Sequence, residues 1–217
     1  MAKSFNDYRG VRDFRGAFNV QDTVDGYSAD TWEDLEGTES INVEGSESYA
    51  ERYRDNKAVG GVATEGPTTI TAVMDVLARK MRAKIEGRTY VESLDMIVGT
   101  KKKRVVMAAS FIGKLTDGTE ELNIYYNCMP TGGNRSHTTE NDGTDVSTVE
   151  YQLNAAYTKF KCNCGNGKDE SFYYVCVPLT DKVTEEMILG EFTNGKSTKA
   201  PLTPEEIIAL GGTVTTE

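Results

Sequence analysis

The chain has 217 residues, with 34 Asp plus Glu against 24 Lys plus Arg and a formal charge of −10. A field of one sign repels polyanions, which disfavours tight binding to nucleic acid or an anionic membrane. A chain of this length buries about 70% of its unfolded surface, so it needs neither disulfides nor metals to fold.

The N-terminus lacks the apolar core of a signal peptide, and no run approaches the ~20 apolar residues that span a bilayer. The expectation is synthesis in the cytoplasm and no membrane anchor. Residues 1–36 read as an irregular arm rich in Asp, Gly and Arg. Its aromatics (Phe5, Tyr8, Phe14, Phe18, Tyr27, Trp32) are too many for a disordered tail and need a surface to pack against.

From Thr38 the pattern turns to strands. Ile41 and Val43 alternate with polar neighbours, and Pro67-Thr68-Thr69-Ile70-Thr71 is rich in β-branched residues. Gly45 to Gly66 reads as a long polar connection carrying Glu47, Glu51, Arg52, Arg54, Asp55, Lys57 and Glu65, and compact domains rarely keep such a connection without a use for it. A helix is expected over about 71–86, with Met74, Leu77, Ala78, Met81 and Ile85 on the core face and Gly87 ending it.

Lys103–Leu115, the turn Thr116-Asp117-Gly118-Thr119 and Glu120–Cys128 predict a hairpin. Leu122, Ile124, Tyr126 and Cys128 are expected on its buried face and Glu121, Asn123 and Asn127 on the wetter one. Val149 to Tyr157 alternates with period two. Ser171–Leu179 is apolar on both faces, reads as a central strand, and is expected to pair with Val149–Tyr157. Residues 37–180 thus form the expected β domain, and 181–217 a C-terminal arm with short helices near Thr184–Leu189 and, behind the capping box Thr203-Pro204-Glu205-Glu206, near Ile207–Leu210.

Candidate chemistry is sparse. His137, the single histidine, sits among polar residues with nothing to shift its pKa. Adjacent carboxylates such as Glu33-Asp34 and Glu120-Glu121 point to opposite faces of a strand. Cys162 and Cys164 are spaced C-x-C with Cys128 and Cys176 far away, unlike a zinc knuckle, so the thiols are read as free, with Cys128 and Cys176 packed as small apolar side chains. Gly190–Ser197 fits G-x-x-x-x-G-K-[ST] without the strand before and helix after that a phosphate loop requires. Asn141-Asp142-Gly143 with Asp145 lacks the closing glutamate of a calcium loop. Lys101-Lys102-Lys103-Arg104 stands where lysines commonly guard a strand edge. No enzyme, cofactor or metal is expected.

The order of parts carries a resemblance. Trp32-Glu33-Asp34-Leu35-Glu36-Gly37 leads into Ile41-Asn42-Val43, followed by Tyr53-Arg54-Asp55-Asn56-Lys57, by Thr68-Thr69-Ile70-Thr71 entering a helix, and by Ala108-Ala109-Ser110-Phe111-Ile112-Gly113 before Leu115-Thr116-Asp117-Gly118. Over about Trp32 to Val177 this resembles the major tail proteins of long-tailed, siphovirus-like bacteriophages. The resemblance implies a mainly β fold, a sandwich or small barrel with one flanking helix, assembled as six-membered rings that stack into the tail tube for genome delivery. It places Ser46–Val62, with Glu47, Glu51, Arg52, Arg54, Asp55 and Lys57, at the ring-to-ring contact. It also implies other copies, a tape-measure protein and other tail proteins as partners, double-stranded DNA in transit without specific binding, and residence in the virion tail. A terminator, baseplate or contractile-injection tube subunit, and a soluble β-sandwich binding module, are the alternatives.

Overall fold

The computed structural model describes residues 7–54, 57–135 and 148–211, with 48–65 described as backbone. In chain order the first elements are β1 (Tyr8–Ala17), β2 (Gln21–Asp22), β3 (Tyr27–Ser28), β4 (Glu33–Asp34), β5 (Thr38–Glu44), β6 (Glu47–Arg54), β7 (Lys57–Glu65), β8 (Thr68–Met74) and α1 (Arg79–Glu86). There follow β9 (Thr89–Val91), β10 (Met96–Val98), β11 (Met107–Leu115), β12 (Glu120–Arg135), β13 (Val149–Ala155), β14 (Lys161–Asn163), β15 (Asp169–Ser171) and β16 (Tyr174–Pro178). The C-terminal segment holds α2 (Glu185–Leu189), β17 (Phe192–Thr193), β18 (Lys196–Ser197) and α3 (Pro204–Gly211). The fold is mainly β with few helices, as expected.

The main sheet is antiparallel, and its central order is β4-β1-β11-β12-β13-β8-β5. Its ends meet because β4 and β5 belong to one stretch of chain. Leu35 N donates to Phe14 O on the β1 side, and Asp75 N donates to Gly37 O on the β8 side, each at 2.8 Å. The bend between them is at Gly37, whose φ of 81° is a left-handed conformation that glycine adopts without strain. The two ends of the sheet are thereby joined at this corner into a small, partly open barrel, while beyond it the outer edge of β5 has no ladder partner among the described residues. Register shifts in β1 at Asp13 (φ 56°) and in β12 at Asn127 (φ 48°) supply the curvature that closure needs.

Two cores follow. The barrel interior holds Phe14, Ile70, Ala72, Met74, Met107, Phe111, Tyr125, Cys128, Tyr151 and Leu153, with Phe18, Leu35 and Ile85 of α1 at its margin. The outer face of β1, β11 and β12 is covered by the C-terminal segment, packing Trp32, Ile112, Leu122, Ile124, Tyr126, Phe172, Ile188, Leu189 and Ile207. Each fully buried large apolar side chain contributes about 1.5–3 kcal/mol, so the described parts of both terminal segments belong to the packed fold.

Several expectations change. The stretch expected as an N-terminal arm contains β1, whose period is broken by the Asp13 bulge and which buries Phe14 and Arg15. Helix α1 begins at Arg79, not near 71, because Thr68–Met74 alternates buried and half-buried and pairs with both β13 and β5. Met74 and Ile85 fit a helical spacing, but the β-branched run of Thr69, Ile70, Thr71 and Val73 favours the strand. Val149–Ala155 alternates as expected, but Ser171–Leu179 does not pair with it. Instead β12 is long enough to hold β16 along residues 121–125 and β13 along residues 128–135 of the same edge. Nor is β16 central: Cys176 and Pro178 are exposed. The C-terminal helices form where expected but pack on the sheet. Thr184 Oγ1 accepts from Met187 N, and Thr203 and Glu206 bond reciprocally, as a capping box should.

Candidate assembly surfaces

Past Gly45-Ser46 and Gly66-Pro67, the β5–β8 pair continues off the barrel as β6 and β7. Among the described residues these two strands pair only with each other, from Glu47↔Glu65 to Arg54↔Lys57. The root of this arm is pinned by Gly66 N donating to Ser46 O at 2.6 Å and Ser46 Oγ donating to Pro67 O at 3.1 Å. An eight-residue strand reaches about 26 Å. A two-stranded ribbon on its own is marginally stable in water.

The expected long polar loop is therefore a β-hairpin. Its alternation was masked by Gly60-Gly61 and by a register shift between Arg52 and Tyr53, although Asp55-Asn56 between two β-prone runs is a turn signal. Of the residues expected at the ring contact, Glu47 is exposed at the root, Glu51 and Arg52 stand opposite Gly61 and Gly60, and Arg54 stands opposite Lys57 beside the tip. Asp55 lies outside the described residues. The fold thus brings five of the six onto one ribbon.

The charges of β1 serve the outer layer. The Arg15 side chain is 7% exposed, donates from Nε to Asp34 Oδ1 at 2.9 Å, pairs through Nη2 with Glu185 Oε1 at 2.8 Å and lies 4.2 Å from the Phe192 ring centroid. Arg12 Nη2 reaches Glu120 Oε2 at 2.8 Å and Glu185 Oε2 at 3.0 Å. The Arg12 hydrogen bond holds the Glu120 carboxyl below its ordinary range. This network ties β1 to β4, β12 and α2, a role that sequence spacing could not reveal because its members are up to 173 residues apart.

Other singled-out residues find structural places. Gly190–Ser197 follows helix α2 and forms the β17–β18 hairpin, with Asn194 (φ 52°) and Gly195 (φ 72°) in its turn, so the strand–loop–helix of a phosphate loop is not formed there. All four cysteines are free: Cys128 and Cys162 are buried, Cys164 is half-buried and Cys176 is exposed, contrary to its expected packing. Burial pushes the Cys162 thiol up to about 11. Among the described residues no group of three or more His, Cys, Asp or Glu could hold a metal ion. His137 and Asn141 to Asp145 lie outside the described residues. Lys101 to Arg104 guards no edge, since β11 lies between β1 and β12. These residues instead border a groove of ≈ 770 Å³ beside α1, lined among others by Lys84, Arg88, Lys103, Arg104 and Lys159.

No family model and no curated protein matches the chain. Among solved structures, it is similar to a component of the anti-feeding prophage baseplate at TM-score 0.41 and 7% identity, covering 81% of this chain and 97% of that one. It is also similar to a chain of the PVC sheath–tube complex, an extracellular contractile injection system, at TM-score 0.36 and 16% identity over 76% of this chain and 89% of that one. A chain of the PVC sheath/tube terminator gives TM-score 0.35 and 18% identity over 66% and 89%.

Proposed function

We propose that this chain is a structural subunit of a bacteriophage tail tube, assembling with copies of itself into stacked rings that carry the genome during delivery. The β6–β7 arm carries the reading: it is a ribbon about 26 Å long, rooted firmly in the barrel and paired only with itself among the described residues. Packing against the next ring would cover it. The order of sequence blocks from Trp32 to Val177 supports the same reading, as does the net charge of −10, which leaves a moving polyanion without tight contacts. Contacts between different patches of identical subunits close rings and stack them. Other tail proteins, including a tape-measure protein, would be its partners in the virion.

The test is to replace Glu47–Glu65 by a two-residue Asn-Gly turn, which the adjacent root residues Ser46 and Gly66 can accept. Negative-stain microscopy across a concentration series should show hollow tubes or rings for the parent. The shortened chain should keep its far-UV circular dichroism and form single rings or monomers. Tubes from the shortened chain would overturn the arm's role, and a parent that stays monomeric would favour a soluble binding module.

A further inference from the structure

The chain's charge is divided along its length. Residues 16–51 contain ten Asp or Glu and no Lys or Arg, whereas residues 79–104 contain nine Lys or Arg and three Asp or Glu. The fold turns this division into two surfaces. The groove beside α1 gathers Lys84, Arg88, Lys103, Arg104 and Lys159, and among the described residues that line it Asp22 is the single carboxylate. Asp22 is already occupied, accepting from Asn127 Nδ2 and Lys159 N at 2.7 Å and from Phe160 N at 3.0 Å. Lys84 is bound to Glu33. Among the described residues, Arg88, Lys103, Arg104 and Lys159 have no ion-pair partner, and the last three are exposed.

The complementary surface is β5. It ends the hydrogen-bonded order of the sheet, so its outer edge has no ladder partner among the described residues, and Glu39 and Glu44 are exposed there without a cation. Among the described residues, Glu44 accepts from Asn42 Nδ2 alone, at 2.8 Å. The register row Met129↔Asn154, Asn154↔Thr69 and Thr69↔Glu44 runs from the groove wall to this edge. Three strand spacings place the two surfaces about 14 Å apart on opposite sides of one half of the barrel. Because they are different patches, contact between them is head-to-tail and propagates from copy to copy.

We propose that the basic groove receives the acidic β5 edge of a second copy, forming the side-by-side contact within a ring. The proposal rests on the tail-tube reading and adds the surfaces that meet. Mutual neutralisation there lets an acidic chain associate without self-repulsion.

The experiment compares sedimentation velocity of the full chain with Lys103→Glu/Arg104→Glu, with Glu39→Lys/Glu44→Lys, and with the variant carrying all four changes. Circular dichroism and thermal melting serve as checks of folding. Each double variant should lose about a hundredfold or more in association, since like charges then face each other. The fourfold variant, and an equimolar mixture of the two doubles, should regain it. Association of the parent should weaken as salt rises from about 0.05 M to about 0.5 M. Double variants that associate like the parent would overturn this contact and leave the tube reading standing; a parent that never associates would overturn both. Loss of duplex-DNA binding in the Lys103/Arg104 variant with unchanged association would assign the groove to nucleic acid and overturn the proposal.

Discussion

Met107 of β11 faces Cys128 of β12, yet two residues further along β11 Ala109 faces Tyr125, three residues back on β12. The extra residue is accommodated at Asn127, whose φ of 48° is left-handed, and it transfers Cys128 to the barrel interior while Tyr126 stays on the outer layer. Asn127 Nδ2 also donates to Asp22 Oδ2 at 2.7 Å. Asn127→Ala is expected to destabilise the fold by about 2–3 kcal/mol, combining left-handed strain with a lost hydrogen bond to a charged group. Asn127→Gly keeps the backbone and should cost about half as much. Urea denaturation of both checks this, and equal losses would mean that the bulge conformation carries no strain.

Gly37 makes the corner at which the chain leaves β1 and joins β8. A Cβ there would lie 2.6 Å from Asp75 Cβ, and φ is 81°. Gly37→Ala should therefore cost about 2 kcal/mol, lowering the melting temperature by about 4–8 °C for a chain of this size. Asp75→Ala in the same chain should give only partial relief, because it removes Oδ2 and Cγ, at 2.7 and 2.9 Å from the added Cβ, but keeps the Asp75 Cβ at 2.6 Å and the left-handed φ. Full recovery in the double variant would show that the carboxylate, not the backbone corner, sets the cost.

The fold class and several segments were legible in the sequence because their patterns are local. Val149–Ala155 alternates without interruption, Asp117-Gly118 marks its hairpin, and Thr203 to Glu206 caps its helix. What failed was whatever bulges or long-range pairing decide. The leftover residue at Asp13 hid β1. The bulge at Asn127 moved Cys128 to the other face, and Asn123 and Asn127, expected wet, are buried, Asn123 accepting from Tyr174 Oη and Asn127 donating to Asp22 at the wall of the groove. The partner of β16 depended on the length of β12, which no local pattern fixes. At the arm, six residues could be named from sequence, but their charge suggested a loop because Gly60-Gly61 carries no side-chain alternation.

The thiols give an order that burial alone predicts. Cys176 is exposed, Cys164 half-buried, Cys162 buried with its thiol pushed up to about 11, and Cys128 fully buried. Alkylation of the native protein near pH 8 should modify Cys176 first, then Cys164, and Cys128 only on unfolding, because the thiolate is the reacting species. Mass spectrometry of timed samples reads the order. Early labelling of Cys128 would mean that the barrel interior opens on that timescale.

Glu33 joins three elements. From β4 its carboxylate accepts from Lys84 Nζ of α1 at 2.9 Å and pairs with Lys196 Nζ of β18 at 3.0 Å, while its side chain is 9% exposed. Burial opposes its ionisation, but the two lysine contacts together outweigh burial and hold the carboxyl below its ordinary range. A depressed folded-state value means that the contribution to stability is complete above the unfolded value, near about 4.3. It is lost as pH falls through the folded value, where the native carboxylate takes up its proton. Glu33→Gln should accordingly cost about 2 kcal/mol at pH 7, and the gap between variant and parent should close as the acid limit is approached. Denaturant titrations at about pH 7 and about pH 3 test the sign. A gap that is unchanged or wider at the lower pH would assign the loss to packing around β4 and not to the charge that pins the barrel-closing strand to α1.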